Sequence, residues 1–389
     1  MAVNKYLIRE QNESVVLKTI IDREPISRAE VAAITHLNKA SVSSIAKTLI
    51  ENHLVHETGM GDTSSAGGRK PIMLQFNGHC ALGIALDIGS DYIAAVLSYL
   101  NGEIVCSVIH KKLSIHKENI FSLTDEIIHD FERKAPQTPH GIVGITAAIH
   151  GTVCENRIRF TPYYDLALID LANELQTRYS YPVMLENEAN LTALGEYSFS
   201  CPSDNIISIS IHSGIGAGLV LNGNLLTGQH GQAGEIGHSI LMPDGKICPC
   251  GNHGCLEQYA SNKAMYERFA AEKQLATVNS DILSAAYQGE DSLAVELLHE
   301  NAKLLAVGIN NITTFFDPQI IIINSSVYRK NPKLIEQLSQ HIKSSFTDKV
   351  TVRNSLLGEQ APLYGGIASI AMDFLHIPNL KFKGYPDVF

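Results

Sequence analysis

Two stretches of this chain follow one plan. Residues 81–113, ALGIALDIGSDYIAAVLSYLNGEIVCSVIHKKL, and residues 205–228, NIISISIHSGIGAGLVLNGNLLTG, each read as strand, Asp- or Gly-bearing turn, strand, Asn-Gly turn, strand. Runs rich in β-branched residues broken by Asn-Gly predict antiparallel meanders. The intervening chain predicts a helix over about 119–134, a buried strand at GIVGITAAIHG, and a strand VMLEN leading into a helix over 189–197. At 389 residues the chain exceeds what one core usually serves. The repeated plan therefore predicts two similar α/β lobes in tandem with a cleft between them, the first over 78–185 and the second over 186–389. The C-terminal helix is expected to return to the first lobe.

Ahead of the lobes, residues 1–77 have a different texture. Val16, Leu17, Ile20 and Ile21 predict a helix over about 11–23 that Pro25 ends. Ser27-Arg28-Ala29-Glu30 has the form of a capping box opening a short helix to about Thr35. After the turn THLN, Asn38 caps a third helix with Val42, Ile45, Ala46, Leu49 and Ile50 on one face. Its opposite face carries Lys39, Ser41, Ser44 and Lys47. A helix, a short turn and a second helix with a small, polar, cationic face is the helix-turn-helix layout for reading double-stranded DNA. Three packing helices with no such role are the plainer alternative. LVHETG and PIMLQF read as strands flanking MGDTSSAGGRK, so the unit is winged. Its wing ends in a basic arm, Arg69-Lys70, suited to a minor groove.

Charge fits that division. The chain has 30 Lys and Arg against 40 Asp and Glu, which taken whole disfavours nucleic acid. Residues 1–75, however, hold nine basic against eight acidic side chains, so the acidity lies in the body. No apolar run approaches the roughly 20 residues of a membrane helix, and the N-terminus has no signal-peptide core, which predicts a cytoplasmic protein.

The densest chemistry is GEIGHSILMPDGKICPCGNHGCLEQYAS, residues 234–261. Cys248, Cys250 and Cys255 with His238 supply three thiolates and an imidazole, a closed tetrahedral set for one structural zinc ion per chain. Spacing alone leaves His230 and His253 as alternative fourth ligands, and a disulfide or redox pair as the alternative for the thiols. Glu235 and Glu257 flank the knot, where two fixed carboxylates suit the neighbouring hydroxyls of a sugar; ordinary surface acids are the other reading. The turns Asp87-Ile88-Gly89-Ser90 and Ser213–Gly218 expose amides of the sort that cradle phosphate, though each alone reads as a hairpin.

On GEIGH with CPCGNHGCLE, SGIGAGLV, ENEAN, DIG, ISRAEVAAITHLNKASVSSIAKTLI and SAGGRKP, the chain resembles the ROK (repressor, open reading frame, kinase) family over essentially its full length. Within it, the xylose-repressor branch is most similar. The resemblance implies a winged helix-turn-helix joined to the two-lobed fold of actin-like ATPases and sugar kinases. It also implies sugar contacts at Gly151, Asn187, Glu188, Glu235, His238 and Glu257, with Gly151 facing the others across the cleft.

Three departures from the family pattern argue against phosphorylation. Glu188 follows Asn187 where the kinases place their catalytic Asp, Ser90-Asp91 replaces Gly-Thr in the first phosphate turn, and IIIINSS brings Asn324, Ser325 and Ser326 to a strand end that usually carries glycines. An anion at Asp91 repels a triphosphate, so neither ATP nor catalysis is expected. A fourth departure, Tyr163-Tyr164 where the branch has Asn and Trp, removes a flat wall for a pyranose unless a tyrosine replaces it. The expectation is a repressor binding a pseudo-palindromic operator as a homodimer, or a tetramer of paired dimers, and released by a neutral monosaccharide, xylose or a hexose such as glucose. Its rivals are a sugar kinase with an accessory DNA-binding head and an architectural DNA-binding protein without a ligand.

Overall fold

The computed structural model describes residues 5–60, 70–342 and 344–382. Arg69 of the expected arm falls outside them, and Lys70 is exposed. The first helix, Lys5–Arg23, starts well before the apolar stripe that announced it. An exposed polar face supports the extra turns, with Arg9 pairing to Glu13 at 3.0 Å one turn on. Ser27 caps the helix Arg28–Thr35, and Glu30 reaches back in the reciprocal box. Asn38 accepts from the Ser41 amide at 2.8 Å and opens the helix Lys39–Glu51. A hairpin of Val55–Met60 and Ile72–Phe76 follows, and Ile26–Ser27 joins it as a third strand that the sequence did not announce. Val16, Ile20, Val31, Val42, Leu49 and Leu74 fill this head's core, giving the layout of a winged helix-turn-helix.

The body holds two five-stranded sheets of identical topology. In each, the first strand pairs antiparallel with the second, which pairs antiparallel with the third; the fourth and fifth are parallel additions on the other side. The first sheet comprises Leu82–Ile88, Tyr92–Tyr99, Ile104–Lys111, Ile142–Ile149 and Val183–Asn187. The second comprises Ile206–Ile211, Ile215–Leu221, Asn224–Leu225, Ile320–Asn324 and Thr351–Asn354. A lobe boundary at 185/186 would cut the strand Val183–Asn187, so Glu186 and Asn187 belong with the first sheet. Among the described helices none is long and apolar enough to cross a membrane.

Two helices join the sheets. Glu188–Phe199 packs on the second sheet, while Ala361–Leu375 comes back to the first, pressing Ile370 against Gly83 and Gly144. They cross almost backbone to backbone: a Cβ at Gly195 would collide with the Ala361 carbonyl, and one at Gly365 with the Leu191 carbonyl. Glycine is required at both positions for that approach.

Candidate functional site

The cleft opens at the carboxyl ends of the parallel strands of the first sheet, where Ile88, Ile149 and Asn187 lie in register. This is the usual ligand crevice of open α/β sheets. Gly151, Asn187, Glu188, Glu235, His238 and Glu257 all line it, together with Asp91, Tyr163, Tyr164, His150 and His212.

Asn187 ends its strand and caps the next helix, its Oδ1 accepting from the Asn190 amide at 3.1 Å. Its Nδ2 donates to the Gly151 carbonyl at 2.8 Å. Asn187 therefore stands on Gly151's side of the cleft, not opposite it, because the strand it terminates belongs to the first sheet. Glu188, in the first helical turn, is buried. Its Oε1 accepts from Thr192 Oγ1 at 2.7 Å and Ser210 Oγ at 3.2 Å, with His212 Nε2 at 3.7 Å. Burial would raise its pKa, but the His212 hydrogen bond and charge, the His150 charge and Thr192 outweigh it and hold the carboxyl down at about 2.

From the second lobe come Glu235, His238 and Glu257. Thr152 Oγ1 donates to Glu235 Oε1 across the cleft at 3.3 Å. Burial pushes the Glu235 carboxyl up against the opposing pull of His238 and Thr152. Glu257 is committed in part to structure: its Oε2 accepts from the Ile215 amide at 3.1 Å and occupies the space a side chain at Gly214 would need. His238 faces both ways, with Nε2 at 3.9 Å from Glu235 Oε2 and Nδ1 at 3.5 Å from Cys248 Sγ. The sulfurs of Cys250 and Cys255 are 3.7 Å apart, and the four donor atoms of His238, Cys248, Cys250 and Cys255 all lie within 4.8 Å of one another. Neither His230 nor His253 joins this cluster, and all three cysteines are free thiols rather than a disulfide.

Two histidines that the sequence reading passed over stand at the cleft floor. His150 Nε2 donates to Asp87 Oδ1 at 3.0 Å, while the Tyr92 hydroxyl donates to Asp87 Oδ2 at 2.8 Å. Burial alone would depress His150, yet Asp87 above all, then Glu188 and Asp91, raise it to about 9, so it is an imidazolium at neutral pH. Its ring lies 5.9 Å from that of His212. The only signal for these two was position, just beyond a strand end in AIHG and ISIHS. The tyrosines also divide. Tyr164 donates to the Ile88 carbonyl at 2.9 Å and accepts from the His150 amide at 3.0 Å, a structural role. Tyr163 takes the open position, with its hydroxyl 3.3 Å from the Ser213 carbonyl opposite and Lys263 4.8 Å from its ring centroid.

On the head, Asn38, Lys39, Ser44 and Lys47 are exposed along one face of the helix Lys39–Glu51, and Ser41 is half-buried. Asn38 is engaged as the cap, and Lys47 lies 3.7 Å from Glu51.

A winged head on a duplicated two-lobed body, with a soft-donor knot at the rim of a carboxylate-lined cleft, defines a class in which DNA reading and sugar-kinase architecture share one chain. The chain belongs to the ROK family, whose profile matches residues 83–372. It is 36% identical over 374 residues to the xylose repressor of Bacillus subtilis (strain 168), covering 94% of this chain and 96% of that protein. The solved structure of a ROK family transcriptional regulator, a homolog of the E. coli MLC protein, superposes with a TM-score of 0.81 at 29% identity, covering 95% of this chain and 98% of that one. A ROK family glucokinase from Streptomyces griseus, in complex with glucose and AMPPNP, superposes with a TM-score of 0.67 at 26% identity over 75% of this chain and 99% of that one.

Proposed function

We propose that the protein is a sugar-responsive transcriptional repressor of the cytoplasm. It binds a pseudo-palindromic operator as a homodimer and is released by a neutral monosaccharide, xylose or a hexose such as glucose, held in the cleft. The observation that carries this reading is the convergence of Gly151, Asn187, Glu188, Glu235, His238 and Glu257 on one cleft in a chain that also presents Lys39, Ser44 and Lys47 from an exposed helix. Carboxylates and an imidazole suit hydroxyls; Asp91 and Glu188 disfavour a phosphorylated ligand. Lys39, Ser41 and Ser44 enter the major groove, with Asn38 and Lys47 toward its edges, and Arg69 and Lys70 serve the minor groove.

The glucokinase likeness makes the kinase the second reading, and Glu188 argues against it. A general base works best with a pKa near the operating pH, whereas this carboxylate is held at about 2 and already accepts from two hydroxyls.

The knot is proposed to hold one structural zinc per chain. Zinc with bonds of about 2.3 Å to sulfur and about 2.0 Å to nitrogen has tetrahedral edges of roughly 3.8 and 3.5 Å. The Cys250 to Cys255 Sγ separation of 3.7 Å and the Cys248 Sγ to His238 Nδ1 separation of 3.5 Å fit those edges, within a donor set that spans at most 4.8 Å. Closed on four protein donors, the ion would brace Glu235, His238 and Glu257 and do no chemistry.

Titrating D-xylose and D-glucose into the protein with and without a duplex that it selects from a random library tests the reading. Sugar is expected to bind more weakly when DNA is present, by the same factor that sugar weakens DNA binding. Sugar affinity unaffected by DNA would refute it.

A further inference from the structure

We propose that the strap of residues 376–382, acting through Phe382, carries the state of the cleft to the DNA-binding head; the inference rests on the repressor reading above. It starts from the helix Glu188–Phe199, which has Glu188 in the cleft at one end and Phe199 at the other. Every residue of it is buried. It is also bolted sideways, since fully buried Glu196 accepts from Ser200, Ser355, Arg353 and the Leu357 amide. Such a helix moves as a rod of about 18 Å at 1.5 Å per residue.

The far end of the rod meets the strap. Phe199 and Phe382 stack with centroids 5.0 Å apart and planes within 16°. The Phe382 amide donates to the Ser198 carbonyl at 2.9 Å. Lys381 pins the strap further, pairing with Asp204 at 2.7 Å and donating to the Pro202 and Ser203 carbonyls, each at 2.8 Å. The strap's other side faces the head. Phe382 lies 6.2 Å from Phe76 in the hairpin, and Lys18 of the first helix donates to the Asn379 carbonyl at 2.9 Å. Val16, Leu17, Phe76, Phe382, Phe199 and Leu191 all belong to one apolar core that spans head and body.

The helix Ala361–Leu375, which leads into the strap, also reaches the recognition helix. Phe374 lies against the ring of His140 at 5.2 Å, and His140 Nε2 donates to the carbonyl of Asn52, the C-cap of Lys39–Glu51, at 2.8 Å. A sugar that touches Gly151 on one lobe and Glu235 on the other would draw the lobes together, and the rod would move with the helix Ala361–Leu375, to whose lead-in at Ser355 and Leu357 Glu196 bolts it. Close-packed aromatic rings at their head-side ends would transmit that movement to the head rather than absorb it.

The test uses the full chain, D-xylose and D-glucose as probes, and a duplex selected by the wild type. The quantity read is the ratio of sugar affinities without and with duplex, expected in the wild type within the roughly 5- to 150-fold range of allosteric couplings. Phe382→Leu keeps apolar bulk but loses the stack. It should bring the ratio to within about twofold of unity, while sugar alone and duplex alone each bind within about threefold of wild type. A wild-type ratio in Phe382→Leu overturns the strap and leaves the repressor reading intact; a ratio of one in the wild type overturns both. If Phe382→Leu does not fold, Lys18→Met on the head side decides: a lowered ratio supports the strap, an unchanged one overturns it.

Discussion

Raising the pH should loosen the cleft floor through one residue, His150. The imidazolium is bonded to Asp87 and lies in the field of Glu188 and Asp91, with a pKa raised from 6.5 to about 9. A group whose folded pKa lies above its unfolded value stabilises fully below the unfolded value. That stabilisation disappears as pH climbs through the folded value, here between about 6.5 and 9. At about 1.4 kcal/mol per pKa unit, the interval corresponds to about 3 kcal/mol. Urea unfolding followed by circular dichroism at steps from pH 6 to pH 10 measures it, with His150→Asn as the reference that removes the group while other titrations continue. The wild type should lose about 3 kcal/mol relative to that variant over the window. Asp87→Asn, which removes the main partner at 3.0 Å, should flatten the difference. Parallel stability profiles for wild type and His150→Asn would refute the assignment of the charge.

Elemental analysis should find about one zinc per chain, and Cys250→Ser should lose it and melt lower, since structural sites couple metal to folding; metal-free protein with an unchanged Tm contradicts this. Incubation with ATP, magnesium and xylose or glucose should give no sugar phosphate above background, and Glu188→Asp should not restore turnover to the ~1 per second of slow enzymes. Lys47→Ala should weaken all duplexes alike and reduce the salt slope by about 1, whereas changes at Ser41 or Ser44 should alter base preference and Arg69→Ala should act most on A/T-rich flanks; the reverse pattern would move the reading face elsewhere.

What could be read from the chain alone followed the range of the interactions. The capping box at Ser27 and Glu30, the stripe from Val42 to Ile50, the meanders and the cysteine knot are local, and a few residues suffice to announce each. His238 is chosen over His253 by a loop path in which the Ile240 and Cys255 backbones bridge, and spacing cannot show that. The Asp87, Tyr92 and His150 cluster depends on strands far apart in sequence lying side by side. Gly195 and Gly365 carry no pattern of their own; only the crossing of two helices gives them meaning. Asn187 was assigned to the wrong side of the cleft because a strand end and a helix cap are the same residue in ENEAN.

His238 has a consequence for ligand recognition. A neutral imidazole carries one proton and has two places to keep it. With Nδ1 turned to the sulfurs, a bound metal would occupy that nitrogen and leave the proton on Nε2, directed at Glu235 and the cleft. The ring then acts there as a donor alone, and the carboxylate beside it as an acceptor. A single hydroxyl that accepts from one and donates to the other would satisfy both, while an ether oxygen or a carbonyl would offer Glu235 Oε2 no proton, Thr152 serving only Oε1. On the proposed sugar reading, a metal in the knot would set a tautomer, and through it the cleft would distinguish a free hydroxyl from the same oxygen once it has been alkylated.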